Sequence, residues 1–137
     1  GNDGIFNMSY YDLIPGFDLT VFASYYEPWG YTPLESIAFG VPTITTDLAG
    51  FGQWIKDNFE NEKCGVKVIH RTDSNYSELV HEISDTIEQF SAMPDESAKI
   101  LRKAAQRTAK QASWDNFIKF YQDVYSIALT NAQNRNK

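Results

Sequence analysis

Apolar runs and polar punctuation divide the chain into alternating short strands and helices, and then into helices alone. Ser9 to Ile14 reads as a short helix, with Ser9 and Asp12 at capping-box spacing. Leu19–Ala23 (LTVFA) is too short and too β-rich for a helix and predicts a buried strand. Ser24–Tyr31 is a loop rich in aromatics, and Pro33–Phe39 predicts a helix that Gly40 ends. Val41–Thr45 predicts a second strand, Leu48–Gly52 a loop with two glycines, Gln53–Asn58 a helix and Val66–Ile69 a third strand. Beyond that point Leu79, Val80, Ile83, Ile87 and Phe90 share one helical face. Pro94 opens another helix at its first position, with Asp95 and Glu96 in the first turn, where the helix dipole favours acids. Ala98, Leu101, Ala105, Thr108 and Ala112 line that helix. Ser113 caps a last helix, faced by Trp114, Phe117, Ile118, Tyr121, Tyr125 and Ala128, and the closing NAQNRNK reads as frayed.

Strands that alternate with helices predict a parallel, doubly wound sheet. Three short strands make a small one, since a complete sheet of this kind carries about five or six. The expected fold is therefore α/β: a partial Rossmann-like parallel sheet followed by a helical tail. It forms a single domain over 1–137, with an α/β half over 1–72 and the tail over 73–137.

Composition narrows the picture. With 137 residues, 42% of them hydrophobic, the chain can bury a core and is not disordered. Eight Gly and five Pro exclude a collagen or a linker. No apolar run approaches the roughly 18 residues of a membrane span, so no membrane partner is expected. Cys64 is the one cysteine, which excludes a disulfide framework and a cysteine-based zinc site. His70 and His81 stand alone in the sequence and add nothing to a metal case. The default compartment is reducing and cytoplasmic.

The net charge of −6 makes the chain a poor general nucleic-acid binder. Its distribution is uneven. Residues 1–62 hold nine acids and one base, Lys56, whereas residues 99–137 hold eight bases and two acids.

Candidate chemistry concentrates in Ser24–Gly52, SYYEPWGYTPLESIAFGVPTITTDLAGFG. The first strand delivers this stretch to the carboxyl edge of the sheet, where open α/β folds bind ligands. The loop presents Glu27, Trp29 and Tyr31, and Gly30 lets backbone approach a ligand closely. Thr32-Pro33 opens a helix whose free N–H groups suit a phosphate, and Glu35 projects near the same mouth. One carboxylate at a reacting centre, amides for an anion and a second carboxylate for hydroxyls suit a sugar nucleotide. Plainer explanations fit the same spacing. Thr32-x-x-Glu35 is also a capping box, Trp29 and Tyr31 could be ordinary core or surface aromatics, and Glu27 could be a solvated loop acid. Gly50 and Gly52 could serve only a turn. On the residues alone this is a ligand-binding loop at a sheet edge, with the ligand open.

The stretch Glu27-Pro-Trp-Gly-Tyr-Thr-Pro-Leu-Glu35 resembles the E-x7-E motif of retaining GT-B glycosyltransferases. With GVPTITTDLAGFG after it, YYEPWGYTPLE is especially similar to glycogen synthases of the fungal and animal type. The resemblance is near-continuous over residues 18–52 and consistent in element order elsewhere. It implies transfer of glucose from UDP-glucose to the non-reducing 4-hydroxyl of an α-1,4-glucan, with retention at C1. It implies that Glu27 is the catalytic glutamate beside the transferred sugar. By the same resemblance Trp29, Gly30, Tyr31 and Thr32 hold the donor sugar and diphosphate, and Glu35 bonds the ribose hydroxyls. No metal or other cofactor is implied, because Arg and Lys side chains stabilise the diphosphate in this family.

Those cations test the chain. Helix amides alone cannot neutralise a diphosphate, since each terminus offers about half a charge, and residues 1–62 supply only Lys56. The expectation is a C-terminal fragment of a longer enzyme, inactive alone, whose partners are the nucleotide-sugar donor and the glucan acceptor. Homo-oligomerisation stays open. On the basic helix, Arg102, Lys103 and Arg107 lie where eukaryotic relatives sense a sugar phosphate, while a solvated helix face is the preferred explanation. Two other functions stay open: another retaining GT-B transferase, or a non-catalytic sugar-nucleotide or glucan-binding module.

Overall fold

The computed structural model describes residues 4–59 and 63–135. A short helix α1 (Tyr10–Leu13) and a 3-10 turn (Ile14–Gly16) lead into strand β1 (Thr20–Phe22). Helix α2 (Tyr31–Ala38), strand β2 (Thr43–Thr46), helix α3 (Gly50–Phe59) and strand β3 (Val66–Ile69) follow. Three helices close the chain: α4 (Tyr76–Ser91), α5 (Asp95–Gln111) and α6 (Trp114–Arg135). The sheet order is β1-β2-β3 and both pairings are parallel, with Thr20 opposite Thr43 and Thr43 opposite Val66. This is the expected partial Rossmann-like arrangement followed by helices.

All four residues of β2 are buried, as a central strand covered on both faces requires. Strand alternation explains how β3 serves two layers. Val66 and Val68 pack on one face, against a core of Ile37, Phe51, Ile55, Phe59, Cys64 and Ala105 drawn largely from α2, α3 and α5. Ile69 points the other way and joins Ile44 and Leu79 under α4. Lys67 shares that second face and reaches Glu82 of α4 at 2.7 Å. Strand β1 has only three residues, and hydroxyls reinforce its docking. Thr20 Oγ1 lies 2.6 Å from Ser36 Oγ on α2 and 2.9 Å from Thr43 Oγ1 on β2. The buried Ser36 hydroxyl also donates to the Val41 carbonyl at 3.2 Å.

Five local expectations change. Strand β1 is not the buried strand expected over 19–23: it pairs on one side, with β2, Thr20 and Phe22 are half-buried, and Val21 is exposed. The glycine-bearing segment 48–52 is not wholly a loop, because α3 begins at Gly50. Its first residues pair with backbone far away in sequence, and that pairing overrides the low helix propensity of glycine. Helix α2 starts at Tyr31 with Gly30 as its N-cap, two residues ahead of the expected cap at Thr32. No Thr32–Glu35 capping box therefore forms, since Thr32 already sits inside the first turn. Pro94 is the N-cap of α5 and not its first residue. Finally, 131–135 continue α6 and are not frayed, whereas 136–137 lie outside the described residues. The Ser9 cap is as expected, with the Asp12 amide donating to Ser9 Oγ at 3.3 Å.

The hydroxyl trio makes a stability prediction. Ser36→Ala removes the contacts to Thr20 and to the Val41 carbonyl and should lower unfolding free energy by about 1–3 kcal/mol, the range where a buried partner is left unsatisfied. Urea denaturation of the two proteins side by side checks it, and an unchanged midpoint would show that the trio does not hold β1.

Candidate functional site

Beyond the end of β1 the chain does not leave the sheet at once. Thr46 Oγ1 donates to the Ser24 carbonyl at 2.7 Å. The Glu27 amide donates to the Leu48 carbonyl at 3.4 Å, the Gly50 amide to the Glu27 carbonyl at 3.1 Å, and the Phe51 amide to the Trp29 carbonyl at 2.6 Å. Glu27 and Ala49 thus form a parallel bridge that extends the sheet past its strands. The pairing is close, for a Cβ on Gly50 would collide with the Pro28 carbonyl oxygen.

This pairing sets Glu27 at the carboxyl edge. The side chain is half-buried, and Ser24 Oγ donates to its Oε2 at 3.2 Å. Gly30 adopts φ 116°, which a side-chain-bearing residue rarely tolerates, and turns the chain into α2. A Cβ on Gly30 would lie 3.6 Å from Glu27 Oε2, so the carboxylate stands beside the N-terminus of α2, where the helix dipole favours an anion. Tyr31 and Thr32 occupy the first turn and are exposed.

Trp29 is placed differently from the other loop residues. Its ring packs edge-on against Phe51 and Phe117, at centroid distances of 5.9 and 5.4 Å, and lies 6.1 Å from Trp54. The half-buried ring packs at the base of α6 and also borders the open cavity next to Tyr31, while the Trp29 carbonyl accepts from the Phe51 amide. Tyr31 lines this largely aromatic cavity, of about 650 Å³, with Trp54, Trp114 and Phe117. Glu35, expected near the mouth, accepts a hydrogen bond from the Tyr11 hydroxyl at 3.1 Å.

The structure adds residues that the sequence reading left unassigned. Asp47, immediately after β2, is buried, yet it gathers three donors. His70 Nδ1 lies 2.6 Å from its Oδ2, the Arg71 amide donates to its Oδ1 at 2.9 Å, and Lys56 Nζ lies 3.4 Å away. Burial pushes the Asp47 carboxyl up, but these hydrogen bonds outweigh it and hold the group below the usual carboxylate range. The Arg71 guanidinium bonds the Ala23 carbonyl and sits 4.1 Å above the Tyr25 ring. The signal in the sequence is positional: Asp47 and His70 each follow directly on a strand, at the carboxyl edge. Lys56, the one base in residues 1–62, is thereby engaged with Asp47.

On α5 the three basic candidates are not equivalent. Arg102 bonds the Phe17 carbonyl through both terminal nitrogens at 3.2 Å and lies 3.6 Å from Asp18, which ties α5 to the segment before β1. Lys103 and Arg107 are exposed. Among the described residues no three His, Cys, Asp or Glu side chains group as metal ligands, and no helix is long and apolar enough to cross a membrane.

Fold and loop together define a partial Rossmann-like α/β unit whose Glu27 loop lies at the carboxyl edge of the sheet. A family model described as glycogen synthase matches residues 1–136. A glycogen [starch] synthase of Caenorhabditis elegans is 35% identical over 126 residues, covering 91% of this chain and 19% of that protein. Glycogen [starch] synthase isoform 1 of Saccharomyces cerevisiae is 39% identical over 92 residues, covering 65% and 13%. The glycogen [starch] synthase of Neurospora crassa is 32% identical over 126 residues, covering 91% and 18%. The chain belongs to the glycogen synthase family. It spans about a fifth of the length of these relatives or less.

The Asp47 network predicts an acid dependence. Its carboxyl is depressed in the folded state, so its stabilisation is present above the unfolded value of about 3.9 and fades as pH falls through the lower folded value. Asp47→Asn should cost about 1.5–3 kcal/mol at pH 7, the range for hydrogen bonds to a charged group, and should flatten the loss of stability on acidification. Thermal melts of both proteins from pH 7 to pH 3 check this, and parallel curves would contradict it.

Proposed function

We propose that this segment is the donor-side part of a retaining glucosyltransferase that moves glucose from UDP-glucose to the non-reducing end of an α-1,4-glucan, in the cytoplasm. The observation that carries the reading is the placement of Glu27 at the carboxyl edge of the sheet. It is held by backbone pairing to Leu48–Gly50 and stands beside the N-terminus of α2. Family membership supports the reaction class.

In this reading the exposed first turn of α2 and the Gly30 backbone face the donor diphosphate. Trp29 acts through its main chain, with its half-buried ring packed against Phe51 and Phe117. Glu35 accepts hydrogen bonds from the ribose hydroxyls. The acceptor hydroxyl enters on the face that the diphosphate leaves, and the leaving group takes its proton, so configuration is kept. Glu27 stabilises positive charge that builds on the sugar in the transition state. The scheme calls for no metal at the diphosphate. Its cations must come from outside residues 1–62, where Lys56 is engaged with Asp47.

Two results test the proposal. In the complete polypeptide, Glu27→Gln should lower the turnover of glucan elongation about 10²- to 10³-fold, the scale for losing one preorganised electrostatic group, with the fold intact by circular dichroism. Retained turnover would argue for a binding module instead. The 137-residue segment alone should show no elongation, and measurable elongation by it would refute the division of labour.

A further inference from the structure

Glu35 of α2 and Phe39, the residue that caps its C-terminus, lie four residues apart, and Tyr11 contacts both. The Tyr11 ring stacks on Phe39, with centroids 5.9 Å apart and planes at 28°, and its hydroxyl reaches Glu35 Oε1 at 3.1 Å. Tyr10 stands edge-on to Tyr11 at 5.3 Å. The Ser9 cap and the buried Ile14 anchor the segment that carries both rings. Tyr11 is itself 53% exposed, so burial is not what holds its hydroxyl against Glu35.

We propose that Tyr11 is a positioning residue: it holds Glu35 in one rotamer through Oε1 and leaves Oε2 to accept from a vicinal pair of nucleoside hydroxyls. The inference rests on the reading of Glu35 given above. A carboxylate offers about four lone-pair sites, so accepting from Tyr11 does not exhaust it. A free glutamate side chain loses rotamer freedom when a ligand orders it. A glutamate already ordered avoids that cost, and the ligand binds more tightly. The hydrogen bond to Glu35 holds the Tyr11 phenol above its usual range, and a phenol is protonated, hence a donor, at neutral pH even without that shift. The device acts only on ligands that use Glu35, which separates it from a general stabilising role.

The test is titration calorimetry of the complete polypeptide with UDP and with its 2′,3′-dideoxy form. The unmodified protein should bind UDP more tightly. Tyr11→Phe keeps the ring and its stacking on Phe39 and removes only the hydroxyl. It should weaken UDP binding about fivefold, the factor expected for one hydrogen bond, and should leave dideoxy binding unchanged, so the gap narrows. Glu35→Ala should abolish the gap. If Glu35→Ala closes the gap and Tyr11→Phe does not, the role of Tyr11 is overturned and that of Glu35 stands. If Glu35→Ala leaves the gap open, the reading of Glu35 fails and the inference falls with it. Equal weakening of both ligands by Tyr11→Phe would mark a structural role and overturn the proposal.

Discussion

The arrangement of the candidate site depends on one backbone pairing, between Glu27–Trp29 and Leu48–Phe51. Parallel strands β1 and β2 end at Phe22 and Thr46, yet their connections meet again beyond the sheet. That second meeting places Glu27 and starts α3 at Gly50. It also anchors Trp29 by its carbonyl while its half-buried ring packs at the base of α6. Gly50 is required there because the Pro28 carbonyl occupies the space a side chain would need. The motif glutamate is thus held by main chain on both sides and by Ser24 at its carboxylate.

The same edge is braced from the far side. Asp47 follows β2 and takes hydrogen bonds from the turn after β3 and a cation from α3. A buried carboxylate is costly unless its oxygens are satisfied, and here each has a partner. The network ties three elements together next to the residues that pair with Glu27. The acidic first half of the chain is therefore not a uniform negative surface. Asp47 is neutralised internally, Glu35 is engaged by Tyr11, and Glu27 stands at a helix N-terminus.

What the sequence reveals follows from range. Strand β2 is legible because TITT is β-branched throughout and sits between Pro42 and Asp47. The inner face of α5 is legible from its period, whereas that of α4 is legible only in part, since Leu79 and Ile83 pack on the sheet while Val80 and Ile87 are exposed. The placement of Glu27 at the carboxyl edge is legible because its loop follows closely on β1. The start of α3 is not, since local glycines signal a loop while the pairing that begins the helix is remote. The cap of α2 is misplaced for a related reason: Thr32 is the better capping side chain, but the turn at Gly30 already begins the helix. Tyr11–Glu35 and Asp47–His70 are 24 and 23 residues apart and share no period, so only the folded chain brings them together.

The central claim is that Glu27 is placed by sheet-like pairing and not by a free loop. Native-state hydrogen exchange at the Gly50 and Phe51 amides tests it most directly. The account predicts protection at both, comparable to amides of β2, because each donates to the Glu27–Trp29 backbone. Exchange at both amides as fast as in an exposed loop, while β2 stays protected, would contradict it.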